Sequence, residues 1–122
     1  MTRAEELVKR IVKEFETRGY EVKPVEVTMA KTGERFIGWY EITNEDRKKI
    51  TISETYRHNG TSENVTAKLK VEDRYFKTLY EVKIPYEASK RVINNRIDKA
   101  LEKFIYSEPE PFKMEMLDTF YQ

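Results

Sequence analysis

The sequence predicts an α+β fold with an N-terminal helix, an antiparallel five-strand meander, a C-terminal helix packed on one sheet face, and a short C-terminal tail. Three observations predict it. Apolar residues recur every three or four positions near both ends of the body. They recur every second position in between, and the breaks between the alternating stretches are short enough only for hairpins.

The first helix is read over residues 3–18, where Ala4, Leu7, Val8, Ile11, Val12 and Phe15 make one apolar stripe. Thr2 and Glu5 have the spacing of a capping box. Gly19 ends the helix, because a residue without Cβ enters the left-handed conformation freely.

Five strands follow, near residues 20–30, 34–43, 48–58, 62–72 and 75–84. Turn chemistry separates them at Lys31-Thr32-Gly33, Asn44-Glu45-Asp46, His58-Asn59-Gly60 and Glu72-Asp73-Arg74. In strand four Val65, Ala67, Leu69 and Val71 oppose Thr66, Lys68 and Lys70; in strand three Ile50, Ile52 and Tyr56 oppose Thr51, Ser53 and Thr55. Strand two is apolar on both sides, with Phe36, Tyr40 and Ile42 opposing Ile37 and Trp39. Strand five likewise sets Phe76, Tyr80, Val82 and Ile84 against Tyr75 and Leu79. The apolar parity of strand one shifts across Pro24, which marks a bulge or an edge position.

Pro85 is expected to open the last helix, whose stripe is Val92, Ile93, Ile97, Ala100, Leu101, Phe104 and Ile105. The domain is thus residues 1–106. Residues 107–122 form a tail in which Pro109 and Pro111 act as a spacer before Met114, Leu117, Phe120 and Tyr121. This tail either folds back on the apolar second face or binds a partner.

Composition removes several classes of function. With no cysteine and one histidine, His58, there is no thiolate chemistry and no histidine-rich metal centre. The four glycines are scattered, so no phosphate-cradling loop is present and no nucleotide cofactor is expected. The first residues lack the apolar stretch of a signal peptide, and no apolar run approaches the roughly 18 residues of a membrane span. A cytoplasmic protein is expected, and its two Asn-x-Thr sequons should stay unmodified. Glu and Lys dominate the charged residues, as in thermophile proteins and in idealised sequences.

The charges are unevenly spread. Residues 47–106 hold 14 basic against 8 acidic side chains, whereas residues 107–122 hold 1 against 4. Arg57, Lys68, Lys70, Arg74 and Lys77 are interleaved with Tyr56, Tyr75 and Phe76, a combination suited to single-stranded nucleic acid. Ile37, Trp39, Tyr75 and Leu79, with Leu117, Phe120 and Tyr121 of the tail, are the candidate protein interface.

One enzymatic alternative exists. Asp73, Glu81 and Lys83 are loosely similar to the PD-(D/E)xK nuclease pattern, in which two carboxylates hold Mg²⁺ and a lysine supports the attacking water. The similarity covers about a dozen residues, Glu72 stands where the pattern has proline, and the strand expected after the second helix is missing. Glu81 and Lys83 are equally the polar side of an amphipathic strand. The expectation is therefore a non-enzymatic protein without a cofactor, acting by association with a protein partner or a second copy, with nucleic acid as a further possible partner.

Overall fold

The computed structural model describes residues 2–55 and 65–106. Helix α1 spans Arg3–Thr17, strands β1 to β5 span Lys23–Thr28, Arg35–Thr43, Lys49–Thr55, Thr66–Glu72 and Thr78–Pro85, and helix α2 spans Lys90–Ile105. The strands form one antiparallel sheet in the order β1-β2-β3-β4-β5, so the meander is as expected. The Thr2 hydroxyl accepts from the Glu5 amide at the start of α1, and Gly19 leaves its end at φ 91°. The register of β1 against β2 slips between Val25 and Glu26, beside Pro24 and on an edge strand.

Two expectations are corrected. Pro85 does not open α2; it is the last residue of β5, paired with Thr66, where an edge strand tolerates the missing amide. The helix starts five residues later, at Lys90, with Ser89 as its cap accepting from the Val92 amide. Tyr75 and Phe76 do not belong to β5 either, because the turn after β4 extends from Asp73 to Lys77.

Both helices lie on the same face of the sheet, α1 over β3 and β4, α2 over β3 to β5. Leu7, Ile11 and Phe15 of α1 and Ile93, Ile97 and Phe104 of α2 bury against Ile50, Ile52, Leu69, Val71 and Ile84. Each such side chain contributes roughly 1.5–3 kcal/mol on leaving water, so this interior dominates the stability. Glu14 meets Lys90, and Arg18 reaches Asn94 and Asp98, so the two helices run side by side in the same direction. The Arg10 guanidinium donates to the carbonyls of Tyr86 and Ala88, tying α1 to the connection that feeds α2.

The β1–β2 hairpin projects past this cover as a wing. Phe36 and Ile37 point to opposite sides of β2, yet they are 47% and 49% exposed. Gly38 lets the wing's two strands approach, since a Cβ there would lie 2.5 Å from Val27 Cγ2.

Candidate interaction surface

The sheet face away from the helices carries Trp39 and Glu41 on β2, Thr51 and Ser53 on β3, Lys68, Lys70 and Glu72 on β4, and Glu81 and Lys83 on β5. Its charges are largely matched internally. Lys68 Nζ lies 2.9 Å from Glu81, Lys70 3.8 Å from Glu72, and Lys49 3.5 Å from Glu41. The hydrogen bond from Lys68, together with the charges of Lys68, Lys70 and Lys83, holds the Glu81 carboxyl below the usual carboxylate range. Trp39 Nε1 donates to Glu41 at 2.8 Å, which fixes the indole against the sheet.

The residues expected to form one apolar interface are separated. Ile37 and Trp39 sit on β2, while Leu79 lies in β5 at the far edge and packs partly against the core. The intervening rows of β3 and β4 are threonine, serine and lysine. Tyr75 is exposed in the β4–β5 turn with Arg74 stacked over its ring at 4.8 Å. Lys77 closes that same turn. Arg57 and Tyr56, and the tail residues Leu117, Phe120 and Tyr121, lie outside the described residues, as do His58 and both sequons.

Asp73, Glu81 and Lys83 do not converge. Asp73 is absorbed in turn geometry, its Oδ1 accepting from the amides of Tyr75 and Lys77 at 2.8 and 3.0 Å. Glu81 is paired with Lys68, several residues along β5 from that turn. Among the described residues no group of three or more carboxylate or histidine side chains is placed to hold a metal ion.

Two concavities among the described residues lie at opposite ends of the sheet. A cleft of about 530 Å³ lies between the N-terminal half of α1 and the wing, lined by Glu5, Val8, Lys9, Phe36, Ile37, Gly38, Tyr40 and Glu54. Burial and then the neighbouring Glu5 push the Glu54 carboxyl above its ordinary value, since both disfavour the charged form. Periodicity gave no hint of this, because Glu54 occupies an inward position that the strand pattern assigns to an apolar residue.

The second concavity, about 400 Å³, lies between the β2–β3 and β4–β5 turns and is lined by Thr43, Asn44, Arg47, Lys49, Glu72, Asp73, Arg74 and Phe76. The two turns share one hydrogen-bond pattern. In each, an Asn or Asp donates its backbone amide to the carbonyl of a lysine four residues on, its own carbonyl accepts from the residue before that lysine, and its side chain accepts from the lysine's amide. Position four takes positive φ, at Arg47 (61°) and Phe76 (65°), a place that glycine usually fills after a type I turn. The shared spacing, Asx to lysine at i+4, is the signal that a reading by strand parity misses.

The first turn also secures the end of α2. Lys48, only 5% exposed, donates from Nζ to the Lys103 carbonyl at 3.0 Å, and Asn44 donates to the Phe104 carbonyl at 3.1 Å. A cation at the negative end of a helix dipole is favourable there. No helix of the described residues is long and apolar enough to cross a membrane. With this geometry in hand, no protein family, curated protein or solved structure matches the chain.

Proposed function

We propose that the protein is a non-enzymatic, cytoplasmic binding module that seats an apolar, positively charged segment of another polypeptide between α1 and the β1–β2 wing. One observation carries the reading: Phe36 and Ile37 point to opposite sides of β2 and are both about half exposed. A strand apolar and uncovered on both faces is unfinished as a monomer surface, and such surfaces mark sites of association. Trp39 and Tyr40 continue the two apolar rows toward the core.

The cleft's charge supports the choice of partner. Glu5 and Glu54 face the same space as Phe36 and Tyr40, and a lysine or arginine there would relieve the burden of ionised Glu54. The nucleic-acid reading has less support, because Lys68 and Lys70 already neutralise Glu81 and Glu72. The nuclease reading loses its first carboxylate to the β4–β5 turn.

Selection of peptides from a random display library on the full chain tests the proposal. Enriched peptides should combine Leu or aromatic anchors with Lys or Arg, and Phe36→Ser or Ile37→Ser should abolish their capture without changing the circular dichroism. Peptides of unrelated chemistry, or binding indifferent to both substitutions, would overturn it.

A further inference from the structure

The groove between the two matched turns is remote from the wing and asks for a different occupant. Arg47 and Arg74 line it and neither has an ion-pair partner among the described residues. The acidic lining is already engaged, Glu72 by Lys70 and Asp73 by the amides of its own turn. Phe76 stands over the groove 79% exposed, held there by a left-handed backbone conformation that a phenylalanine adopts at a cost. Two guanidinium groups without an ion-pair partner among the described residues, one of them stacked on Tyr75, stand beside an exposed aromatic ring and suit an acidic, aromatic peptide.

Such a peptide begins at the rim. The C-terminal carbonyls of α2 are bonded by Lys48 and Asn44, and Asn44 itself lines the groove, so the chain leaves Tyr106 beside it. The next 16 residues, 107 to 122, carry Glu108, Glu110, Glu115 and Asp118 against the single Lys113, together with Phe112, Phe120 and Tyr121. Extended, they reach about 50 Å, more than enough to enter the groove from its edge. A tether this short also sets an effective concentration of order millimolar, so weak contacts suffice.

We propose that residues 107–122 dock in cis into this groove, with carboxylates on Arg47 and Arg74 and an aromatic side chain against Phe76. The assignment moves the tail away from Ile37 and Trp39, to the opposite end of the sheet, and is independent of what binds the wing.

The absence of native cysteine makes the test direct. Thr119→Cys in the full chain, carrying a nitroxide label, should erase the amide signals of residues 44–49 and 72–77 in a ¹⁵N correlation spectrum. Reducing the label, adding molar salt, or the pair Arg47→Gln and Arg74→Gln should restore them. Signal loss centred on Ile37 and Trp39, or no localised loss, would overturn the proposal. So would loss that also arises when labelled ¹⁴N chains are mixed with unlabelled ¹⁵N chains, since that reports docking between copies. A failure here leaves the peptide-selection result at the wing unaffected, and the converse holds.

Discussion

Arg47 and Phe76 occupy the same position of two matching turns that stand side by side at one end of the sheet, with φ of 61° and 65°. Left-handed backbone costs a residue with Cβ roughly 1 kcal/mol more than it costs glycine. Arg47→Gly is therefore expected to raise the unfolding free energy by about 0.5–1 kcal/mol, part of the gain being offset by the freer unfolded chain. Arg47→Ala should not, as alanine keeps the strain. Urea denaturation of the three proteins decides it; a Gly variant no more stable than the Ala variant would remove strain as a feature of this turn.

Gly38 is expected to be sensitive to a single added methyl. The Cβ of Gly38→Ala would fall 2.5 Å from Val27 Cγ2, so one strand must shift or Val27 must leave its rotamer, at a cost of about 1–3 kcal/mol. Val27→Ala removes the colliding atom. A double-mutant cycle should show the Gly38→Ala penalty shrinking in the Val27→Ala background. Additive penalties would mean that the glycine serves backbone flexibility instead.

Glu54 is expected to make the protein more stable in mild acid than its other carboxylates would suggest. Its folded value is raised, first by burial and second by Glu5, so the folded state holds the proton more tightly than the unfolded one. The resulting stability is fully present below the unfolded value of 4.5 and is lost as pH rises through the folded value. Glu54→Gln should then stabilise the protein at pH 7, with the advantage vanishing toward pH 4. Thermal melts of both proteins across that range measure it. A variant less stable at pH 7 would show that the carboxylate has a favourable partner.

Much of this architecture was legible because it rests on periodicity. The stripe from Leu7 to Phe15 and the alternation Ala67, Leu69, Val71 have one physical solution each, and the structure adopts it. Pro24 likewise announced an edge strand, although the residue skipped in its register with β2 is Gly38. Pro85 misled because proline fits both the first turn of a helix and the end of an edge strand, and the capping hydroxyl of Ser89 decided between them. Tyr75 and Phe76 misled because their alternation continued that of β5, while Asp73 closes the turn four residues further on, at Lys77. That both helices share one face was not legible, since a stripe states that a helix is covered and not by which side of a sheet. The clefts were illegible for the same reason: they arise where α1 stops short of the wing and where two turns meet, and both are relations between distant segments.

Helices that shelter β3 to β5 and only the inner end of β2 should divide the molecule into unequal cooperative units. Opening β1 away from β2 exposes little that water does not already reach, whereas parting β3 from β4 uncovers the whole interior. The amides shared by β1 and β2 should therefore exchange with solvent through a low-energy fluctuation, and those shared by β3 and β4 only through global unfolding. The surface proposed to capture a partner would then lie on the part of the fold that is cheapest to rearrange, so a bound segment should protect β1 amides far more than it raises the melting temperature.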